Sequence, residues 1–115
     1  MVSSYVPDAG DLIWLDFDPQ AGHEQAGRRP ALVLSSSQFN QRTALAFVCP
    51  VTSKIKGYTS EVLLPPGLPV YGAVLCSHMR SVDWDVRNPA LIGKAPSDVL
   101  LAVRAVVATI AGIAR

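Results

Sequence analysis

The chain has 115 residues, half of them hydrophobic, and a formal net charge of +1. This length fits a single domain, residues 1–115, with a core of its own and no need for metal or disulfide staples. No apolar run approaches the roughly 18–20 residues that cross a bilayer, and the first residues lack the pattern of a signal peptide. We therefore expect a cytoplasmic protein without membrane contact.

The two cysteines, Cys49 and Cys76, lie in apolar runs. We expect buried reduced thiols, because a structural zinc site needs four ligands and disulfides are rare in the cytosol. The sequence has neither a cluster of metal ligands nor a glycine-rich nucleotide signature. It therefore predicts no metal and no other cofactor.

The charges are unevenly distributed along the chain. Residues 28–80 contain six Lys or Arg residues and one acid, Glu61, whereas residues 1–27 contain five acids and no Lys or Arg. A local basic face suits a polyanion even when the net charge is close to zero. Charge alone leaves open that these side chains are simply solvated.

Taken in order, the chain alternates short strand-like runs with turns. Branched and aromatic residues predict strands over residues 11–17, 31–34, 44–51, 60–64, 70–82 and 90–94. Residues 22–30, rich in glycine and charge, predict a loop, and residues 54–58 predict a second, basic loop. Short helical turns are expected over residues 35–41 and 83–88.

The period becomes helical after Ser97, which is expected to be the N-cap, with Asp98 in the first turn. One face of this helix carries Val99, Val103, Val106 and Ile110, and Leu100, Val107 and Ala111 lie beside it. So wide an apolar stripe predicts packing against the sheet or a partner subunit. Short strands followed by one terminal helix predict a mainly β fold, a compact barrel-like sheet with helical additions.

Three groups could together perform metal-free RNA cleavage. In such a reaction the 2′-hydroxyl is the nucleophile, and Glu24 could accept its proton. Arg29 could stabilise the phosphorane through its planar fork, and Thr52 could donate a hydrogen bond to a phosphate oxygen. His23 and His78 could instead form an acid–base pair, although polar or RNA contacts are the commoner role.

Aromatic side chains divide by their surroundings. Tyr58 and Phe39, flanked by polar or basic residues, are candidates for base stacking. Trp14 and Trp84 are better explained as core or interface residues.

At these residues the sequence resembles the MazF/PemK family of toxin endoribonucleases. The resemblance is carried by the opening Tyr-Val-Pro-Asp at 5–8, Gly-Asp-Leu-Ile-Trp at 10–14 and Asp-Phe-Asp-Pro at 16–19. It continues through Glu-Gln-Ala-Gly at 24–27, Arg-Pro-Ala at 29–31, Val-Leu-Ser at 33–35 and Pro-x-Thr at 50–52. Lys-Gly-Tyr at 56–58, Glu-Val at 61–62, Gly72 and Trp84 keep the match in register.

The resemblance implies an SH3-like β-barrel with a C-terminal helix, working as a homodimer. It implies a toxin of a type II toxin–antitoxin system that cleaves single-stranded mRNA without metal. The products would be 2′,3′-cyclic phosphate (or 3′-phosphate) and 5′-hydroxyl ends. A cognate antitoxin would block the site with a disordered, acidic C-terminal segment. The residues matching the catalytic positions are Glu24, Arg29 and Thr52.

The residues expected to contact RNA are His23, Gln25, Arg28, Ser53, Lys54, Lys56, Tyr58, His78 and Arg80. Around residues 76–80 the family commonly has an Asp-Gln-x-Lys pattern, which here reads Ser77-His78-Met79-Arg80. The change from Asp to Ser77 bears on specificity, so no cleavage sequence is transferred.

Two other functions are compatible with parts of this sequence. A non-catalytic barrel of the same fold could bind and inhibit a protein target, but Glu24, Arg29 and Thr52 are all retained. A DNA-binding repressor would need a helix-turn-helix with basic recognition residues, which the sequence lacks. The sequence therefore favours the ribonuclease. Its apolar helix and strands also favour a two-fold dimer.

Overall fold

A seven-stranded antiparallel sheet forms most of the fold. The structure is a computed structural model and describes residues 5–17 and 27–113. In chain order the elements are β1 (Asp11–Phe17), β2 (Gly27–Val33), α1 (Ser37–Thr43), β3 (Ala46–Thr52), β4 (Glu61–Leu63), β5 (Ala73–Leu75), β6 (Arg80–Val82), β7 (Ala90–Lys94) and α2 (Ser97–Ala111). Two 3₁₀ turns, Cys76–His78 and Trp84–Arg87, follow β5 and β6.

The strands lie in the order β4-β5-β3-β2-β1-β7, and β6 also pairs with β3. Within the described residues the sheet does not close, because β4 and β7 stand at opposite ends of this order. The mainly β expectation is confirmed. The expected helical turns are also present, as α1 and the 3₁₀ turn at Trp84–Arg87.

The strand predicted over residues 31–34 begins earlier than expected. β2 starts at Gly27, because Arg28 and Arg29 pair with Asp16 and Leu15 of β1. Both arginines therefore belong to a rigid strand and not to the loop in which the sequence placed them.

The single strand predicted over residues 70–82 is wrong. β5 pairs with β3 at Val74↔Val51, and β6 pairs with it at Arg80↔Val48. Three steps along β3, from Val51 to Val48, thus correspond to six steps along the other segment, from Val74 to Arg80. The 3₁₀ turn Cys76–His78 accommodates the three extra residues and lets the chain return to β3.

Both faces of the sheet are covered by apolar side chains. One cluster includes Leu12, Leu32 and Cys49 and is closed by α2 through Val99 and Val103. The other includes Ile13, Leu15, Phe17, Ala31, Val33, Ala46, Val48, Val82 and Trp84. Two-sided packing explains why the β2 and β3 sequences read as nearly continuous apolar runs.

The terminal helix differs slightly from its prediction. Pro96 occupies the N-cap position and Ser97 is the first helical residue, with no side-chain cap hydrogen bond. Asp98 lies in the first turn as predicted. The apolar stripe is buried at Val99 and Val103, but Ile110 remains 54% exposed.

The burial of the cysteine and tryptophan side chains tests four further predictions. Cys49 and Cys76 are buried free thiols, as expected, and burial raises the pKa of Cys76 to about 11. Trp84 lies in the core and donates its indole N–H to the Asn40 carbonyl at 3.0 Å. Trp14 is 41% exposed and is not a core residue of this chain.

Candidate active site

Strand register brings Arg29 and Thr52 to one end of one face of the sheet. Ala31 of β2 lies opposite Pro50 of β3. Because the strands are antiparallel, Arg29 and Thr52 each lie two residues beyond this pair in the same direction. Side chains alternate along a strand, so both share the face that carries Ala31 and Pro50.

Thr52 is held in place on two sides. It is 7% exposed, and its hydroxyl oxygen accepts a hydrogen bond from the Lys54 backbone N–H at 3.1 Å. The hydroxyl proton is left for donation to another acceptor. Gly72 packs so closely against Thr52 that a Cβ built on it would lie 2.1 Å from the Thr52 carbonyl oxygen. Only glycine at position 72 allows the Thr52 backbone to lie this close.

A second cation reaches the same face from β6. Arg80 lies opposite Val48, whose side chain shares the face of Thr52, and its guanidinium lies 5.5 Å from the centroid of the Phe17 ring. Phe17 belongs to β1, and two strands, β2 and β3, lie between β1 and β6 in the sheet. The contact therefore spans the concave side of a curved sheet and places Arg80 over the same surface as Arg29.

The loop after β3 is exposed and basic. Ser53, Lys54, Lys56 and Tyr58 follow Thr52 directly, and all four are exposed, with Tyr58 at 62%. His78 is half-buried in the 3₁₀ turn that precedes Arg80. Phe39 is 38% exposed but packs against Phe47 with ring centroids 5.6 Å apart. Tyr58 is the more accessible of the two stacking candidates.

Arg28 lies on the other face of the sheet, because it alternates with Arg29. Its guanidinium donates to Asp16 Oδ1 at 3.0 Å and to the Asn88 carbonyl at 2.9 Å. Asn88 Nδ2 donates to Asp16 Oδ2 at 2.7 Å, and the Arg87 guanidinium donates to the Asp16 carbonyl at 3.1 Å. We call this group of Asp16, Arg28, Arg87 and Asn88 the hairpin clamp, because it ties the β1–β2 hairpin to the second 3₁₀ turn.

The hairpin clamp has an electrostatic consequence. Hydrogen bonds from Asn88 and then from Arg28 lower the pKa of Asp16 below its usual value of 3.8. The carboxylate form is therefore favoured in the folded chain. Arg28 stays a predicted RNA contact, but its described role is to hold the end of β1 against the start of β2.

The described residues contain only part of the predicted site. Arg29, Thr52 and Arg80 share one surface, bordered by the basic loop. His23, Glu24 and Gln25 lie outside the described residues, so their placement stays a prediction. In residues 5–17 and 27–113, no group of three or more His, Cys, Asp or Glu side chains is arranged to hold a metal ion. No helix in the same ranges is long and apolar enough to span a membrane.

Sequence reasoning missed two residues of this site. Phe17 could have been found from its parity with Ile13 and Leu15 at the end of an apolar strand. Gly72 gave no local signal of its role, because its close approach to Thr52 is a long-range contact.

Comparison with known proteins places the whole chain in one group. Residues 8–111 match the family model described as PemK-like, MazF-like toxin of type II toxin–antitoxin system. The endoribonuclease toxin MazF of Escherichia coli K12 is 42% identical over 112 residues, covering 97% of this chain and 100% of that protein.

Solved structures agree with this relationship. The crystal structure of MazF from Deinococcus radiodurans superposes with a TM-score of 0.92 at 55% identity, covering 96% of this chain and 100% of that one. A MazE–MazF complex from the same organism matches with a TM-score of 0.86 at 49% identity, with the same two coverages. The expected barrel-type fold with a C-terminal helix is thereby confirmed.

Proposed function

The chain belongs to the PemK-like, MazF-like toxin family of type II toxin–antitoxin systems, and from this premise we propose how its site cleaves RNA. It is an endoribonuclease toxin, as its homologues are. We propose that it cuts single-stranded mRNA selectively and without a metal ion. Attack by the 2′-hydroxyl would leave 2′,3′-cyclic phosphate and 5′-hydroxyl ends.

The observation that supports this mechanism is the shared face of Arg29 and Thr52. An arginine guanidinium presents parallel N–H donors that suit two oxygens of a phosphorane, and Arg29 is placed to use them. Thr52 has its hydroxyl proton available and its oxygen already fixed by the Lys54 N–H. Donors fixed before the reaction stabilise developing charge without a reorganisation cost.

Proton transfer needs a further group. We propose Glu24 as the general base that removes the 2′-hydroxyl proton. It lies in the connection between β1 and β2, whose second strand begins two residues before Arg29. General acid–base assistance of this kind contributes about 10²–10⁴-fold to a rate.

The RNA strand would follow the cationic side chains around this pair. Arg80 lies over the same face, and Lys54 and Lys56 extend from the exposed loop that leaves Thr52. Tyr58 offers an exposed ring for stacking on a base, a contact that tolerates different base identities. Selectivity would then come from polar groups beside the scissile phosphate, including His78 and Ser53.

The partners proposed for this chain are a cognate antitoxin and a second copy of itself. The related toxin from Deinococcus radiodurans has been solved with MazE. We propose an antitoxin whose acidic segment lies across the basic face. Exposed Ile110 and Ile113 add apolar surface at the C-terminal end of α2, which supports a two-fold homodimer. The cytoplasm, where mRNA is translated, is the proposed compartment.

The testing experiment is incubation of the purified protein with a long unstructured RNA in EDTA, with cleaved ends mapped by primer extension. We expect discrete cuts with 5′-hydroxyl ends. Arg29→Ala should lower kcat by roughly 10²–10³-fold, the usual loss when one oxyanion donor is removed. Arg42→Ala, which removes an exposed arginine at the end of α1, is the matched control.

Three outcomes of this experiment separate the alternatives. Full activity in a folded Arg29→Ala variant would remove Arg29 from the mechanism. Cleavage only when a divalent metal is supplied would overturn the metal-free chemistry. Intact RNA with folded wild-type protein would favour inhibition of a protein target instead.

A further inference from the structure

The loop between β3 and β4, residues 53–60, is fastened by one carboxylate. We propose that Glu61, the first residue of β4, is a positioning residue for RNA binding. Its side chain would hold the loop that carries Lys54, Lys56 and Tyr58 in the conformation that engages the strand. This inference rests on the proposed function, because it assigns Glu61 a task in that same site.

The geometry of the fastening is specific. The Glu61 Oε1 atom accepts hydrogen bonds from the Gly57 N–H at 2.9 Å and from the Lys56 N–H at 3.2 Å. Its other oxygen lies 3.4 Å from the same Lys56 nitrogen. The Glu61 N–H in turn donates to the Tyr58 carbonyl at 3.0 Å. Side chain and backbone of one residue thus bind three consecutive residues of the loop.

Gly57 makes this arrangement possible. Its φ of +78° lies in the left-handed region, which glycine adopts without a Cβ penalty. Two successive backbone N–H groups then converge on one carboxylate, a concave arrangement that commonly binds anions. Here the anion is the carboxylate of Glu61, which directly follows the loop.

The anchor itself is rigid and connected to the rest of the site. Glu61 pairs with Leu75 of β5, and the Ser60 carbonyl accepts from the Cys76 N–H at 3.1 Å. Cys76 begins the 3₁₀ turn that carries His78 and leads to Arg80. At its other end, the loop is held by the bond from the Lys54 N–H to Thr52. Glu61 therefore links the basic loop to β5 and to the 3₁₀ turn that leads to Arg80.

Charge supplies a second argument. Glu61 is the one acidic residue between positions 28 and 80, where six Lys or Arg residues occur. A carboxylate within about 8–10 Å of a phosphate repels it at physiological salt. An acidic residue in this region weakens the attraction for RNA, so its presence calls for a structural role. Accepting the loop N–H groups is a role that accounts for it.

The matched pair of variants is Glu61→Gln and Glu61→Leu. A glutamine keeps one carbonyl oxygen, and Oε1 alone accepts both loop N–H bonds, so the fastening should survive. Leucine fits a strand but has no acceptor. Asp85→Asn, which neutralises an exposed acid in the second 3₁₀ turn, controls for a simple loss of negative charge.

The first readout is backbone amide exchange, which needs no RNA. In Glu61→Leu the amides of Lys56 and Gly57 should exchange roughly tenfold faster or more, the factor expected for losing a hydrogen bond to a charged acceptor. Glu61→Gln should stay within about threefold of wild type by the same reasoning. Unchanged exchange in Glu61→Leu would overturn the fastening.

The second readout separates RNA binding from chemistry. In Glu61→Leu, KM should rise roughly tenfold with kcat within about twofold, because Arg29 and Thr52 are untouched. Glu61→Gln should restore KM. A rise in KM of the same size in Glu61→Gln would show that the charge matters and the acceptor does not. A fall in kcat with unchanged KM would show that Glu61 acts on the chemistry.

A binding measurement distinguishes failure of this inference from failure of the proposed function. An oligonucleotide spanning a mapped cut, with 2′-deoxyribose at the cleaved nucleotide, binds without being cleaved. Wild-type protein that neither cleaves nor binds the long RNA of the first experiment would overturn both proposals. Wild-type binding that Glu61→Leu fully retains would overturn this one alone.

Discussion

Thr52 shows how tightly a single hydroxyl is positioned in this fold. The Lys54 N–H fixes its oxygen, and Gly72 presses against its backbone from the neighbouring segment. Gly72 has a φ of +138°, so a side chain there meets both backbone strain and a steric clash. The chemistry proposed for Thr52 therefore depends on a residue with no side chain of its own.

We expect Gly72→Ala to destabilise the protein by about 3 kcal/mol, because the new Cβ must displace the Thr52 backbone and adopt a disfavoured φ. Activity should fall further than stability requires at a temperature where the variant remains folded. Urea unfolding and single-turnover cleavage measure the two effects.

Gly67→Ala is the control for Gly72. Its φ of +94° is also positive, but nothing lies within 4 Å of a built Cβ. It should lose only about 1–2 kcal/mol, the cost of the left-handed conformation alone. Equal losses in the two variants would show that the contact with Thr52 is unimportant.

Arg28 and Arg29 show what a one-residue difference means in a strand. Arg29 faces the concave surface with Thr52, whereas Arg28 faces the hairpin clamp on the other side. Adjacent arginines of the same chemistry thus receive different tasks from the alternation of the strand.

At the scale of elements, the hairpin clamp makes stability depend on pH. The pKa of Asp16 is lowered in the folded chain, so its contribution is fully present above the unfolded value of 3.8. That contribution is lost as the pH falls through the lower folded value. The 3₁₀ turn Trp84–Arg87 should therefore loosen from the β1–β2 hairpin in acid.

Asn88→Gly tests this dependence. Asn88 has a φ of 54°, which glycine adopts readily, so only the side-chain bond to Asp16 is removed. We expect the pKa of Asp16 to rise toward 3.8, measured by NMR titration of its carboxyl carbon. The stability difference from wild type should be visible at about pH 6 and shrink in acid, as the pH falls through the lowered pKa of Asp16 in the folded wild type. A pKa that stays in place would assign the shift to Arg28.

The accuracy of the sequence predictions varied by element, for physical reasons. β1, β7 and most of α2 followed from local patterns, because their burial is set by alternation or helical period. The start of β2 did not, because Arg28 and Arg29 look like loop residues until their pairing with β1 is known. The break at Cys76–His78 was hidden, since its residues continue an apolar run.

The same limit applies to the site. Residue types and the family resemblance identified Arg29 and Thr52 as a pair. Their shared face follows from the Ala31↔Pro50 register, and register is a long-range property that no local window contains. Gly72, Asn88 and Glu61 act through contacts with distant or turn residues, so their roles could be read only from the fold.

At the scale of the whole molecule, apolar surface remains uncovered. α2 buries Val99 and Val103 against the sheet, but Ile110 near its C-terminal end and Ile113 just after it stay 54% and 61% exposed within residues 5–17 and 27–113. Exposed apolar side chains at the end of a helix are candidates for an interaction site. This is the surface that we propose for contact between two copies.

Ile110→Lys should therefore shift the protein toward monomer, by roughly tenfold or more in dissociation constant, since it buries a charge in an apolar contact. Sedimentation velocity over a concentration series measures the change. Val86→Lys, at a position that is 73% exposed in the second 3₁₀ turn, should leave the dimer intact. A dimer that persists in Ile110→Lys would place the interface elsewhere.

Phe17 and Gly27 are separated by nine residues of sequence, yet they are paired neighbours in the sheet. The hairpin clamp holds the end of β1 against the start of β2 through contacts that involve only Asp16, Arg28, Arg87 and Asn88. We therefore expect the sheet to tolerate replacement of the segment of residues 18–26. Exchanging it for the equivalent stretch of a relative, even one of different length, would leave Arg29 and Thr52 in register. Glu24, the residue proposed to receive the proton, would then change with the exchanged segment, while Arg29 and Thr52, the groups proposed to bind the phosphate, keep their positions.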